Sequence, residues 1–168
     1  QGISLLETTA ISQAAAIQRS GRAGRLAAGH CYRLDSAERW QRRERFTAAE
    51  IETADLTAMR LEIAAWGCKV TDLQWLTPPP PAHLAVAEQL LQQLGFLDNK
   101  GHITALGRQA HRLGTEPRLA AMLLHSQTLA LQGMPGAMAL ACMLAALLED
   151  SRVLQGDLYT LLGSMKRS

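Results

Sequence analysis

The spacing of apolar and polar residues predicts a chain built mainly from short helices. In four stretches the apolar residues recur with helical spacing, and a glycine follows each stretch directly. Glycine is common just past a helix end, so each stretch is predicted to be a separate helix. The four predicted helices are Gln13–Ser20, a helix running through Trp66, Ala82–Leu94 and Ala105–Leu113.

Three hydroxyl residues are predicted to cap these helices: Ser12, Thr57 and Thr104. In the helix capped by Thr57, the spacing predicts one shared face that is formed by Met59, Ile63 and Trp66. In the third helix the predicted apolar stripe is Leu84, Ala87, Leu91 and Leu94. The four prolines Pro78–Pro81 cannot continue a helix and predict a stiff, extended connector before it.

A few segments have the alternation of β-structure. Ile3–Thr8 and His30–Leu34 are predicted strands, and Phe96–Thr104 is a predicted β-hairpin around an Asn-Lys-Gly turn. A helix, a short hairpin and a helix in this order are typical of a winged-helix unit. A charged helical stretch is expected at Ser36–Phe46, with most faces exposed.

The C-terminal part is predicted to be a helical bundle. Pro117 marks the start of a helix, and Gly133–Gly136 forms the turn to a last, very apolar helix at Ala137–Leu148. This last helix is expected to be buried and is too short to cross a bilayer. One face of the helix after Pro117 is expected to carry Leu119, Met122, Leu123, Ser126 and Leu129.

Composition agrees with helices and a reducing compartment. Of the 168 residues, 48% are hydrophobic and only 4% aromatic, so Leu, Ala and Met must supply the core. The three cysteines and five histidines have no metal-ligand spacing, and no metal site is predicted. No signal peptide and a cytoplasmic protein are expected.

The basic residues are nearly all arginine. Net charge is only +2, which alone does not indicate nucleic-acid binding, but 14 of the 17 basic residues are Arg. The arginine fork grips phosphate at two points. A GC-rich genome would enrich Arg, Ala and Leu as well, so composition leaves both explanations open.

One segment has a pattern that points to chemistry. It reads Gln18-Arg19-Ser20-Gly21-Arg22-Ala23-Gly24-Arg25, with arginine at every third position and two glycines between them. Arg22 and Arg25 are about one helical turn apart and can project to one side, while the glycines leave room for a close approach. Paired arginines of this kind suit a triphosphate whose γ-phosphoryl group gains charge in the transition state. A solvated Arg-rich turn is the alternative.

This segment resembles motif VI of the DEAH/RHA helicases of superfamily 2. The resemblance extends over about residues 3 to 150, through Gly29–Leu34, Leu61–Gly67 and Leu106–Arg108, and Ala64–Gly67 with Pro78–Pro81 is most similar to the HrpB-type bacterial branch. It implies a mainly α chain in four parts. These are 1–35, the end of a second RecA-like α/β domain; 36–56, a linker helix; 57–115, a winged-helix domain; and 116–168, an incomplete helical ratchet region.

The resemblance also implies roles for particular residues. Arg22 and Arg25 would be arginine fingers, and Gln18 would position the γ-phosphate and the attacking water of ATP. Arg19 would have a structural or interdomain role, and Ser20 stands where alanine is commoner. Candidates for contact with a single strand, with RNA expected, are Arg108, Arg112 and Arg118, although each also fits an ordinary solvated helix face.

The resemblance also indicates what the intact protein would need. The chain contains no Gly-x-x-x-x-Gly-Lys-Thr loop and no Asp-Glu-x-His motif. ATP and Mg²⁺ are therefore expected to be bound with the help of RecA-like parts upstream, and the chain alone is expected to be inactive. Two other functions remain open: a winged-helix module that binds nucleic acid, and a bundle that binds other proteins.

Overall fold

A computed structural model describes residues 9–149, and these residues are mainly helical, as the sequence predicts. The predicted strand Ile3–Thr8 and residues 150–168 lie outside the described part. The chain divides into two compact units, Gln1–Ala54 and Asp55–Ser168. The helices are α1 (Gln13–Ser20), α2 (Ala37–Arg42), α3 (Glu50–Thr53), α4 (Thr57–Trp66), α5 (Pro81–Gln93), α6 (Ala105–Leu113), α7 (Pro117–Leu131) and α8 (Gly136–Glu149).

In the first unit, the start of α1 is held by side-chain and backbone acceptors. Ser12 caps the helix as predicted, since its Oγ accepts from the Ala15 N–H at 3.2 Å. The N–H of Gln13 donates to the Glu44 carbonyl at 2.9 Å. The Gln13 side chain donates to the carbonyl of Arg43 at 3.1 Å. These bonds fix the beginning of α1 against the segment that follows α2.

The predicted strand His30–Leu34 does not form a strand in the described structure. Tyr32 and Leu34 are 86% and 102% exposed, respectively. A strand needs a neighbour with which to share backbone hydrogen bonds, and the described residues contain none beside this segment. The guanidinium of Arg33 lies instead over the Trp40 ring, 4.2 Å from its centroid.

The charged helix predicted at Ser36–Phe46 is shorter than expected. Ser36 caps α2 by accepting from the Arg39 N–H at 3.1 Å, and the helix ends at Arg42. Arg43 has an extended backbone, and its side chain pairs with Asp35 at 2.7 Å. It also donates to the Ile11 carbonyl at 2.9 Å. These contacts draw Arg43 out of the helix and connect three segments of the unit.

The core of the second unit lies among α4, α5, α6 and α7. Leu91 and Phe96 are fully buried at its centre, and the predicted stripe of α5 faces inward through Ala87 and Leu91. Leucine and alanine supply most of the remaining core, as the low aromatic content predicts. The buried core cluster consists of Leu61, Ala64, Leu91, Phe96, Leu97, Ala110 and Ala120.

The start and the buried face of α4 differ from the prediction. Thr57 is the first helical residue and does not cap the helix; Asp55 accepts from its N–H at 2.8 Å and from its hydroxyl. The predicted face is wrong at Trp66, which is 62% exposed, whereas Ile63 is 2% exposed. Gly67 ends the helix in the left-handed conformation, as predicted, with φ of 77°.

The predicted hairpin is reduced to a single antiparallel bridge between Leu97 and Ile103. Its turn is held by Asp98, whose carboxylate accepts from the N–H groups of Lys100 and His102, each at 2.8 Å. Hydrogen bonds from His102 and Lys100 lower the pKa of the Asp98 carboxyl below its usual value, against a smaller effect of burial. The hairpin is therefore a rigid turn on short arms.

Helix α6 approaches this hairpin closely because residue 107 is glycine. A Cβ on Gly107 would lie 2.2 Å from the Phe96 carbonyl oxygen. Thr104 caps the helix as predicted, accepting from the Gly107 N–H at 3.0 Å and donating to the Gly95 carbonyl at 2.6 Å. These contacts fix the position of α6 and of the arginines on its outer face.

A buried arginine ties the hairpin turn to two helices. Arg60 of α4 is 6% exposed, and its Nε donates to Glu88 of α5 at 2.7 Å. Its Nη2 donates to the Gly101 carbonyl at 3.1 Å. Burial of a charge is costly unless it is paired, so these bonds are what make the position tolerable.

The last two helices pack against each other. α7 begins at Pro117 as predicted, and Pro81 likewise becomes the first residue of α5 instead of ending the proline connector. Helix α8 is only partly buried, contrary to the prediction, because only Ala141, Ala145 and Leu147 are buried. Met138, Leu140 and Leu148 are 37%, 43% and 41% exposed.

Candidate functional site

The Gln-Arg-x-Gly-Arg-x-Gly-Arg segment forms the end of α1 and a tight helical turn after it. Gln18 lies in the last turn of α1, and Gly21–Gly24 form a 3₁₀ turn that contains Arg22. Arg25 follows directly and keeps helical dihedral angles (φ −70°, ψ −38°). A 3₁₀ helix has three residues per turn, so residues three apart lie on one side. The backbone therefore aligns Arg22 with Arg25.

The side chains of this segment are open to solvent. Gln18, Arg22 and Arg25 are all exposed. A Cβ added to Gly21 or Gly24 would meet no described atom within 4 Å. Neither glycine has a positive φ, so neither the backbone nor the packing of the described residues requires glycine here. The turn thus offers two guanidinium groups and bare backbone to an incoming group.

The chemistry that this turn can perform is recognition of phosphate. Two arginine forks can donate several hydrogen bonds to phosphoryl oxygens and offset their negative charge. Nothing at the turn can hold a metal ion, and across residues 9–149 no group of three or more His, Cys, Asp or Glu could do so. Two exposed guanidinium groups suit a phosphoryl group, whereas any Mg²⁺ that accompanied it would need ligands from elsewhere.

A second set of predicted residues lies on the outer side of α6 and at the start of α7. Arg108 and Arg112 are exposed and one turn apart on α6, so they share a face. Arg118 is the second residue of α7 and is also exposed. Helix α6 buries Gly107 and Ala110 on its opposite side. Phosphates of a nucleic acid could reach this face without any rearrangement of the core.

Arg118 has acidic neighbours. Among the described residues, no ion pair or charge effect of this kind involves Arg108 or Arg112. Its backbone N–H donates to the Glu116 carboxylate at 3.1 Å. Burial raises the pKa of the Asp55 carboxyl, but hydrogen bonds from Thr57 and the charge of Arg118 outweigh it, so this pKa lies below its usual value. The guanidinium of Arg118 is thus attracted to the carboxylate of Asp55.

Two polar contacts of the second unit carry no signal in the sequence. His111 of α6 contacts Glu62 of α4, with 2.7 Å between Nε2 and Oε2. The buried Arg60 of α4 contacts Glu88 of α5, with 2.7 Å between Nε and Oε1, while no described atom accepts from its Nη1. Both pairs join residues that are far apart along the chain, so no local spacing could have predicted them. Asp55 was detectable, because Asp is a favoured capping residue and precedes Thr57 by two positions.

Comparison with known proteins matches part of the second unit to a helicase domain family. The model of the helicase associated domain (HA2), winged-helix, matches residues 87–110, which run from α5 through the hairpin into α6. In the described part of the chain no helix is long and apolar enough to pass through a membrane.

Several helicases are similar to most of the chain. The ATP-dependent RNA helicase HrpB of Escherichia coli (strain K12) is 37% identical over 150 residues, which cover 89% of this chain and 18% of that protein. The ATP-dependent RNA helicase DHX33 of Mus musculus is 33% identical over 129 residues, 74% of this chain and 18% of that protein. The crystal structure of Escherichia coli DEAH/RHA helicase HrpB has a TM-score of 0.76 at 31% identity, covering 94% of this chain and 22% of that one.

The fold and these matches define a segment of a helicase that includes the HA2 winged helix. The chain belongs to the DEAH/RHA helicases, in their HrpB-like branch. It spans only 18% of the length of the curated relatives described above.

Proposed function

We propose that this segment supplies the arginine fingers of an ATP-dependent RNA helicase. Arg22 and Arg25 reach the γ-phosphate of ATP and offset the charge that develops there during hydrolysis, and Gln18 orients the attacking water. The observation that carries the proposal is the tight turn that aligns both arginines, in open solvent, between glycines with no packing reason to be glycine. An arginine finger typically contributes about 10³- to 10⁵-fold in rate.

The first unit has apolar side chains that support a partner from the same protein. Leu26, Tyr32, Leu34 and Phe46 are 75% to 102% exposed. Exposed apolar residues so close together in sequence are typical of a surface that another structure covers. We propose that the earlier part of a RecA-like domain covers them and pairs its sheet with His30–Leu34.

The other half of the ATP site is proposed to belong to RecA-like parts outside this chain. Those parts would hold Mg²⁺ and the β-phosphate, since the chain has no Gly-Lys-Thr loop. Closure of the two RecA-like domains around ATP would bring Arg22 and Arg25 to the triphosphate. The 168-residue chain should therefore show no ATP hydrolysis on its own, with or without RNA.

The fingers are tested by Arg22→Ala and Arg25→Ala in an intact HrpB-like helicase that carries this segment. Each variant should lose RNA-stimulated ATPase activity by about 10³-fold or more while binding an ATP analogue almost as well as wild type. Arg22→Lys should not restore the rate, because an ammonium group cannot make the bidentate contact. Arg39→Ala, on exposed α2, is the matched control. Wild-type turnover in either finger variant would contradict the proposal.

We also propose that Arg108, Arg112 and Arg118 contact the phosphates of single-stranded RNA. Their exposure and the shared face of Arg108 and Arg112 support this role. The winged helix and the helices after it would then move with the second RecA-like domain and form one wall of the strand channel. Binding of this kind is mainly electrostatic and should weaken with salt.

A second candidate function is a winged-helix reader of duplex nucleic acid. The outer face of α6 favours it, since Arg108, Gln109 and Arg112 are exposed there. The hairpin argues against it, because arms joined by one bridge give a short wing. Equilibrium binding of the chain to duplex and single-stranded oligonucleotides separates the two functions. Tight, sequence-selective duplex binding would support the reader.

A further inference from the structure

Gly29 lies four residues after Arg25, and its backbone packs against the turn that carries both proposed fingers. The carbonyl oxygen of Ala23 lies 1.7 Å from the position that a Cβ on Gly29 would take. The carbonyl carbon of Ala23 lies 2.6 Å from the same position. Because Ala23 stands between Arg22 and Gly24, this contact reaches the middle of the turn.

The requirement for glycine at position 29 is steric. Gly29 does not have a positive φ, so alanine could adopt its backbone conformation in open space. The obstacle is the Ala23 backbone, which cannot swing aside as a flexible side chain would. Gly21 and Gly24 differ, since a Cβ there would meet no described atom within 4 Å.

The contact with Gly29 matters because the other described contacts of the segment after the turn, Arg33 over Trp40 and Asp35 with Arg43, do not involve the turn itself. No residue from 26 to 35 forms a backbone–backbone hydrogen bond to another described residue. The side chains of Leu26 and Leu34, near its two ends, are fully exposed. The close approach of Gly29 is therefore a principal link between this segment and the backbone that carries Arg22 and Arg25.

We propose that Gly29 is a positioning residue for the arginine fingers. Gly29 acts through Ala23. Because Gly29 has no side chain, the segment after the turn can lie against the Ala23 carbonyl and support the turn. The turn then holds both guanidinium groups at the distance and angle that contact with the phosphate requires. This inference rests on the proposed function of Arg22 and Arg25. A side chain at position 29 would push the Ala23 carbonyl away and displace the fingers without touching ATP itself.

The test is Gly29→Ala in an intact HrpB-like helicase that carries this segment. The variant should lower kcat of the RNA-stimulated ATPase by about a hundredfold, the loss that a displacement of roughly 1 Å can cause. The KM for ATP should stay within about twofold, because binding in the ground state does not depend on the fingers. The number of ATP-analogue sites per protein should also be unchanged, which excludes an unfolded fraction as the cause.

Removal of both fingers separates positioning from a general structural role. If Gly29 acts through the fingers, adding Gly29→Ala to a variant that carries both Arg22→Ala and Arg25→Ala should cause no further loss of rate. A purely structural effect would instead add to the loss, and an additive result would overturn the inference. Ala28→Ser, which enlarges the neighbouring exposed residue, should keep the wild-type kcat.

Different results would overturn the positioning role of Gly29 and the finger role of Arg22 and Arg25. Wild-type kcat in Gly29→Ala, together with inactive Arg22→Ala and Arg25→Ala, would overturn the positioning role and leave the fingers in place. Wild-type kcat in the two arginine variants would overturn the fingers themselves, and the positioning role with them.

Discussion

At the scale of single residues, glycine occupies particular positions of this chain for three different physical reasons. Gly67 and Gly114 have positive φ values of 77° and 66° and end helices, so glycine relieves backbone strain there. Gly107 and Gly29 lie against a backbone carbonyl, so glycine relieves crowding. Gly24 has neither reason among the described residues, in keeping with the proposed approach of the ATP phosphates to this turn.

This difference predicts opposite stability effects for two similar substitutions in the chain. Gly24→Ala should leave the free energy of unfolding unchanged or raise it by up to about 1 kcal/mol, because alanine restricts the unfolded chain. Gly114→Ala should lower it by about 1 kcal/mol, because alanine is strained at positive φ. Urea denaturation followed by circular dichroism measures both. In an intact helicase, Gly24→Ala should nevertheless reduce the ATPase rate; full activity would show that nothing approaches this glycine.

At the scale of elements, the ends of helices are decided by a few polar atoms. Helix α4 begins at Thr57 because Asp55 accepts from the Thr57 N–H and hydroxyl, although Thr57 itself has the chemistry of a cap. The choice between these two capping residues, which are two positions apart, depends on backbone dihedrals that the tertiary structure sets. Cap identity is therefore harder to predict than the presence of the helix.

The Asp55 cap predicts a pH-dependent contribution to stability. Asp55→Ala should lower the free energy of unfolding by about 1 kcal/mol at neutral pH, as loss of a cap usually does. The pKa of Asp55 is lowered from 3.8 on folding, so the ionised carboxylate stabilises the fold above pH 3.8. This stabilisation should disappear as the pH falls below that value and through the lower pKa of the folded state.

Urea denaturation at about pH 7 and about pH 3 tests the Asp55 prediction. The difference between wild type and Asp55→Ala should shrink at the lower pH. Asp55→Asn is the matched control, because its amide oxygen can still accept from the Thr57 N–H but does not titrate. A wild-type advantage over Asp55→Ala that is equally large at both pH values would disprove the role of the carboxylate.

At the scale of the whole molecule, the proposed RNA contacts belong to the winged helix and the start of α7. Arg108 and Arg112 are held in place by the close packing of Gly107 on Phe96, which fixes how α6 sits on the hairpin. A rigid base under exposed arginines lowers the entropy lost when they bind phosphate.

The double variant Arg108→Gln with Arg112→Gln tests the RNA contact in an intact helicase. Single-stranded RNA should bind more weakly whatever its sequence, and the slope of log affinity against log salt should become shallower by about 2. Fluorescence anisotropy at several salt concentrations measures both quantities. Gln89→Ala, on an exposed position of α5, is the control. An unchanged salt slope would remove both arginines from the RNA interface.

Much of the helical structure could be predicted from local pattern. Helices α1 and α6 have the predicted bounds. As expected, Ser12 and Thr104 cap the starts of helices, and Gly67 and Gly114 follow the ends of helices. These features depend on hydrogen bonds and dihedral preferences within a few residues, so the local sequence contains the information. The predictions of a strand at His30–Leu34, of a buried Trp66 and of a buried α8 were wrong, because each feature depends on what lies beside the segment.

The sequence by itself determined most of the helices, the caps at Ser12 and Thr104 and the order of the Gln18–Arg25 segment, because these depend on neighbours along the chain. The tertiary structure alone decided the buried Arg60–Glu88 pair and the contact of Gly29 with Ala23. Arg60 and Glu88 are 28 residues apart, and nothing in the residues around either one indicates the other. The physical reason is that burial and close approach are properties of the space between segments, which only the folded chain defines.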